Sequence, residues 1–162
     1  MFRVLFICTG NSARSQMAEA LLNWKGRGRF HAESAGSRPA DRVNPHAIET
    51  LRAYDIPWFG RAPSGIDGLE REPWDFVVTV CDRAKESCPI FPGQPILAHW
   101  GMPDPAEAAG DAAAKRAAFR DAFVLIRRRI DLLLALPLEQ LERLALEARL
   151  RAIGKTTGEG TG

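Results

Sequence analysis

The chain has 162 residues, of which 46% are hydrophobic and 26% are charged, with a formal net charge of +2. This length suits one hydrophobic core, and the composition excludes a disordered or collagen-like chain and gives no sign of nucleic-acid binding. No apolar run approaches the roughly 20 residues that span a bilayer, and the first residues lack the layout of a cleavable signal, so we expect a cytoplasmic protein without membrane contact.

Predicted strands and helices alternate along the chain. Phe2–Cys8 is a continuous apolar run, which is typical of a central strand buried on both faces. Further strands are predicted at residues 30–35, 75–81 and 95–99, and helices at residues 15–25, 45–54 and 115–136. This alternation predicts an α/β fold with a parallel sheet.

The C-terminal segment, residues 138–153, is predicted to be a further helix. It carries two apolar stripes, Leu141/Leu144/Ala148 and Leu146/Leu150/Ile153. Two interpretations stay open for the extra stripe: additional core packing, or a surface for a partner or a second copy of the chain. We expect a catalytic domain at residues 1–136, this helix at 137–153, and a disordered Gly- and Thr-rich tail at 154–162.

The loop between the first strand and the first helix carries a thiol and an arginine, Cys8 and Arg14. The residues between them, all expected to contribute to oxyanion binding, are Thr9, Gly10, Asn11, Ser12 and Ala13. Backbone N–H groups here converge with the helix N-terminus on one point, which suits a tetrahedral oxyanion. Arg14 can hold two of its oxygens, and Ser15 can donate its hydroxyl to sulfur. We therefore expect Cys8 to be a nucleophile, with its thiolate favoured by this positive field.

Of the two further cysteines, Cys81 ends the third predicted strand and Cys88 stands seven residues further on. Because we expect the chain to lie in a reducing compartment, its three cysteines are predicted to be reduced thiols rather than parts of a disulfide framework. The chain has no Cys-x-x-Cys motif, and its three histidines are widely separated, so no metal site is predicted.

The segment from Cys8 to Ser15 resembles the Cys-x5-Arg-Ser signature of the low-molecular-weight protein tyrosine phosphatase superfamily. The stretch up to Glu19 and the short segments at 34–36, 43–45, 99–101 and 104–105 are similar to the thioredoxin-coupled arsenate reductases of that superfamily. The resemblance covers residues 2–135. It implies a flavodoxin-like three-layer fold, with a four-stranded parallel sheet flanked by helices, to which the C-terminal helix would be an extension.

The same resemblance implies a reaction that detoxifies arsenate. Cys8 would attack the oxyanion, which could also be phosphate or sulfate, while Asp104 protonates the departing oxygen. Cys81 and Cys88 would pass the oxidation on to thioredoxin, glutaredoxin or a small thiol. If residues 82–87 are helical, the two cysteines lie roughly 10 Å apart along the helix axis. The segment would then have to unwind before a disulfide could form.

Two alternatives to the reductase stay open. A low-molecular-weight protein tyrosine phosphatase would use Cys8, Arg14 and Asp104 to hydrolyse phosphate monoesters, although Ala106 stands where such phosphatases usually carry an aromatic residue. A non-catalytic oxyanion or redox sensor would use Cys8 only as a reporter.

The resemblance also raises the question of a bound potassium ion. Some reductases of this kind bind potassium with residues that match Asn11, Glu19 and Ser34. Residues 62–65 of this chain, Ala-Pro-Ser-Gly, lack the aspartate that such proteins have there. We therefore expect no cofactor. For the oligomeric state we expect a monomer or a weak dimer.

Overall fold

A computed structural model describes residues 1–82 and 88–157. Its four strands form one parallel sheet in the order β2-β1-β3-β4. They are β1 (Phe2–Cys8), β2 (Phe30–Gly36), β3 (Phe76–Thr79) and β4 (Ile96–His99). Residues 4–8 are all buried, so β1 is the central strand that its apolar run predicts. The register pairs Cys8 with Gly36 and Ile7 with Thr79, which brings the carboxyl ends of the strands to one edge.

Helices cover this sheet and confirm the predicted fold class. Within the described residues the α-helices are α1 (Arg14–Lys25), α2 (Pro45–Ala53), α3 (Ala112–Leu134) and α4 (Arg143–Ile153). The first three pack on one another, and α1 also packs on β1 and β2. The Asn44 side chain caps α2 and the Asp111 side chain caps α3, each by accepting a backbone N–H bond. None of the described helices is long and apolar enough to cross a bilayer.

The prediction of one continuous helix over residues 138–153 is wrong. A 3₁₀ turn at Leu138–Gln140 is followed by extended backbone at Leu141 and Glu142, and only then does α4 begin. Leu138 and Leu150 are both buried. If they lay twelve residues apart on one helix, their side chains would point about 120° away from each other around its axis. The break lets both leucines reach the core.

Only one of the two predicted stripes on the C-terminal helix is buried. Leu146, Leu150 and Ile153 lie in the core, whereas Leu144 is 81% exposed. The helix packs on β4, and the Trp100 indole N–H donates to the Leu150 carbonyl oxygen at 3.0 Å. The Leu146/Leu150/Ile153 stripe is therefore core packing, whereas the extra stripe, with Leu144 and Ala148 exposed, is not, and a partner surface there stays a prediction.

Part of the predicted tail is held in place. The Arg129 guanidinium donates to the carbonyl oxygens of Gly154 and Thr156, and also to those of Trp100 and Gly101. Residues 154–157 therefore belong to the folded structure, while the prediction of disorder for residues 158–162 falls outside the described residues.

Candidate active site

The sulfur of Cys8 lies at the carboxyl end of β1, and the loop to α1 wraps around it. The Asn11 backbone N–H donates to Cys8 Sγ at 3.2 Å, and Ser15 Oγ lies 2.8 Å from the same sulfur. Asn11 has a φ of +51°, a left-handed conformation that asparagine tolerates better than most residues. A Cβ on Gly36 of the neighbouring strand would stand 2.5 Å from the Thr9 carbonyl oxygen. Glycine there lets β2 approach the loop closely.

Two opposing effects act on the pKa of Cys8. Cys8 is only 2% exposed, and this burial raises the pKa of its thiol because the charged thiolate loses its solvation by water. Hydrogen bonds from Ser15 and Asn11 and the charge of Arg14 act in the opposite direction. The loop thus favours the thiolate as expected, but desolvation has the larger effect, and nothing in the sequence indicated it.

Arg14 and Asp104 stand together over the Cys8 loop. A cavity of about 360 Å³ is lined by loop residues and by two later segments: Cys8, Thr9, Gly10, Ser12, Ala13, Arg14, Cys81, Asp82, Met102, Asp104 and Glu107. Arg14 Nη1 donates to the Met102 carbonyl oxygen at 3.0 Å, and Arg14 Nη2 lies 3.6 Å from Asp104 Oδ2. The other Asp104 oxygen accepts from the Ala106 N–H at 2.9 Å, which orients the carboxyl group. A general acid at Asp104 would face an oxyanion held by the loop.

The three cysteines do not share one site. Cys81 lines the same cavity as Cys8, and its sulfur lies 3.2 Å from the Thr9 hydroxyl oxygen. Cys88 is half-buried and lines a different cavity, of about 560 Å³, together with Val77 and His99. Burial also raises the pKa of the Cys88 thiol. The helix predicted at residues 82–87 lies, apart from Asp82, outside the described residues and stays a prediction.

Two features of the site were missed by sequence reasoning. Asp82 Oδ1 lies 2.8 Å from His99 Nε2, and His99 Nδ1 lies 2.7 Å from the Thr79 hydroxyl oxygen, so an acid and a histidine pair beside Cys81. The adjacency of Asp82 to Cys81 was the one available signal.

The second missed feature is Arg61, behind the loop. Its guanidinium contacts Glu19 Oε1 and donates to the Ser34 carbonyl oxygen at 2.6 Å. Glu19 and Ser34 were noted as matches to potassium-binding positions, but nothing in the sequence connects Arg61 to them. Among the described residues, no group of three or more His, Cys, Asp or Glu side chains could hold a metal ion.

Comparison with known proteins agrees with this geometry. The model of the low molecular weight phosphotyrosine protein phosphatase family matches residues 3–148. An arsenate reductase of Oceanobacillus iheyensis is 39% identical over 117 residues, covering 72% of this chain and 84% of the relative. A solved arsenate reductase in the phosphate binding state has a TM-score of 0.72 at 28% identity, over 83% of this chain and 98% of its own. A thioredoxin-dependent arsenate reductase of Corynebacterium glutamicum has a TM-score of 0.61 at 26% identity, over 86% of this chain and 64% of its own.

Proposed function

We propose a reaction for this site from the premise that the chain belongs to the low molecular weight phosphotyrosine protein phosphatase family. The protein reduces arsenate to arsenite with Cys8, Cys81 and Cys88, and an external thiol reductant restores it. One observation carries this proposal: Cys81 lines the oxyanion cavity beside Cys8, where phosphate-ester hydrolysis needs no second thiol. The names of the similar proteins, which are arsenate reductases, support the choice of substrate.

The first step joins Cys8 to arsenic. Loop N–H groups and Arg14 hold the oxyanion, and the Cys8 sulfur forms a bond to arsenic as one arsenate oxygen departs. Asp104 supplies a proton to that oxygen, which leaves as water. Because burial disfavours the Cys8 thiolate, we expect the incoming arsenate dianion to take the thiol proton, so that negative charge moves to sulfur only when positive donors already face the oxyanion.

The second step moves two electrons to arsenic. The Cys81 thiolate attacks the Cys8 sulfur, the sulfur–arsenic bond breaks, and its electron pair stays on arsenic, which leaves as arsenite. A Cys8–Cys81 disulfide remains. The Cys88 thiolate then attacks the Cys81 sulfur, which releases Cys8 and forms a Cys81–Cys88 disulfide. A dithiol reductant such as thioredoxin, or glutaredoxin or a small thiol, reduces that disulfide.

The position of Cys88 sets a requirement on this relay. Cys88 lines a cavity other than the one that holds Cys8 and Cys81, so the relay needs it to leave that cavity during each turnover. We expect amide exchange across residues 81–89 to be faster in the oxidised protein than in the reduced one. Equal exchange in the two forms would count against the relay.

Trapping the intermediate tests the proposal. In Cys88→Ser, one turnover with arsenate and no reductant should leave a Cys8–Cys81 disulfide, detected by peptide mass mapping. Cys81→Ser should form no disulfide with Cys8. In a steady-state assay with arsenate, thioredoxin, its reductase and NADPH, NADPH oxidation should be lost in both variants and in Cys8→Ser. Activity that survives Cys88→Ser would point to glutathione and glutaredoxin or another small thiol as reductant.

Phosphatase activity is the second candidate, because Asp104 beside Arg14 suits an acid in phosphate-ester hydrolysis as well. The exposed Ala106 offers no ring against an aromatic substrate. Hydrolysis of p-nitrophenyl phosphate that is faster than arsenate reduction and unchanged in Cys81→Ser would favour the phosphatase.

A further inference from the structure

A continuous set of hydrogen bonds runs from Arg61, at the edge of the molecule, to the Cys8 sulfur. Arg61 contacts Glu19 Oε1, which also accepts from Ser34 Oγ at 3.1 Å. Ser34 Oγ accepts from Asn11 Nδ2 at 2.9 Å. Asn11, Ser15 and Ser34 are all fully buried, so water cannot replace these partners.

The direction of these bonds decides what Ser15 can do for Cys8. The Asn11 amide nitrogen also donates to Ser15 Oγ at 2.8 Å, so the Ser15 hydroxyl hydrogen is left for the Cys8 sulfur 2.8 Å away. The Asn11 side chain is held in this orientation because its oxygen accepts from Gln16 Nε2 and from the Ser64 N–H. The Asn11 amide nitrogen therefore donates in two directions: to Ser15, which donates to the sulfur, and to Ser34, which donates to the Glu19 carboxylate.

That carboxylate requires a positive charge beside it. Glu19 is only 8% exposed, and burial raises its pKa, while the charge of Arg61 and the bonds from Ser34 oppose the rise. Without Arg61, either a negative charge stays uncompensated near the Cys8 loop, or Glu19 takes up a proton and accepts only a weaker, neutral hydrogen bond from the Ser34 hydroxyl. Both outcomes disfavour a thiolate at Cys8.

We propose that Arg61 is a positioning residue for Cys8, acting as a built-in cation that holds Glu19, Ser34 and Asn11 in the arrangement that directs Ser15 to the sulfur. Its guanidinium binds the Glu19 carboxylate oxygen and the Ser34 carbonyl oxygen, and carboxylate and carbonyl oxygens are the kind of ligand that a metal cation would otherwise take. The loop should therefore work without potassium. This inference rests on the proposed role of Cys8 as nucleophile.

The test measures Cys8 reactivity rather than turnover. A Cys81→Ser/Cys88→Ser background leaves Cys8 as the only thiol, and iodoacetamide alkylation is followed by mass spectrometry across a range of pH. In this background Arg61→Met should slow alkylation at neutral pH about tenfold, the effect of losing one charge-assisted hydrogen bond. The pH profile should also move upward. Arg61→Lys, which keeps the charge, should stay closer to the parent protein.

The second measurement is how Cys8 alkylation depends on the cation in the buffer. Replacing tetramethylammonium chloride by potassium chloride at constant ionic strength should leave the parent unchanged and partly restore alkylation in Arg61→Met. Arg120→Met, at an exposed position of α3, is the matched control and should behave like the parent. A loss of thermal stability in Arg61→Met with an unchanged pH profile overturns the proposal, as does potassium dependence in the parent. If Cys8→Ser in the otherwise unchanged protein keeps the full arsenate-dependent rate, the proposed nucleophile itself is wrong.

Discussion

Gly154→Ala tests how the C-terminal helix is seated on the sheet. Gly154 follows α4 with helical φ and ψ of −64° and −15°, so its backbone would accept alanine. An added Cβ would stand 2.9 Å from Trp100 Cδ1 and still closer to the His99 carbonyl oxygen. The closer atom, the His99 carbonyl oxygen, belongs to the backbone at the end of β4. It therefore cannot move aside as the end of a flexible side chain would.

Two effects of opposite sign decide the result. Alanine is preferred over glycine in a helix by about 0.5–1 kcal/mol, whereas overpacking of a tight contact costs about 1–3 kcal/mol. We expect the clash to dominate, with a net loss of about 1–2 kcal/mol in the free energy of unfolding. For a chain of this length that lowers the melting temperature by about 2–8 °C.

Thermal and urea unfolding followed by circular dichroism measure this loss. Gly93→Ala is the matched control, because an added Cβ there meets no heavy atom within 4 Å and its φ is not positive. We expect Gly93→Ala to change the free energy of unfolding by less than about 0.5 kcal/mol. A Gly154→Ala protein as stable as the original, or more stable, would show that α4 does not end against His99 and Trp100.

Three further predictions concern the active site. Ser15→Ala removes the hydroxyl 2.8 Å from the Cys8 sulfur and leaves one N–H of the Asn11 amide without its partner. Cys8 alkylation at neutral pH should therefore slow, and the free energy of unfolding should fall by about 1–3 kcal/mol. Unchanged alkylation would mean that the hydroxyl does not reach the sulfur. Asp104→Asn should lower the arsenate-dependent rate by about 10²–10⁴-fold while Cys8 alkylation continues, and an unchanged rate would exclude Asp104 as the acid. Because burial raises the pKa of Cys8, its alkylation without an oxyanion should reach half-maximum at a higher pH than that of an unfolded cysteine; a lower midpoint would mean that the loop's donors outweigh burial.

The C-terminal helix bears on the active site through a short length of backbone. Arg129 joins the carbonyl oxygens of Gly154 and Thr156 to those of Trp100 and Gly101. Met102, which follows directly, accepts the hydrogen bond from Arg14, and Asp104 lies two residues further on. The C-terminal segment is therefore packed against the stretch of chain that carries the expected general acid.

The sequence alone determined the alternating elements, the parallel sheet and the position of the Cys8 loop at the end of the first strand. These features depend on contiguous residues, since apolar periodicity sets each element and the Cys8 loop lies within eight residues, Cys8 to Ser15. The same local rules failed at Leu141 and Glu142, where burying Leu138 and Leu150 together outweighs helical continuity.

Only the tertiary structure decided which distant residues meet the Cys8 loop and how deeply it is buried. It brings Cys81 into the cavity that Cys8 lines, leaves Cys88 in another, and sets Arg61 against Glu19. It also adds burial, which raises the pKa of Cys8 against the effect of the loop's donors. The physical reason is that desolvation and long-range pairing depend on every atom that surrounds a group, and residues far apart in the chain supply most of those atoms.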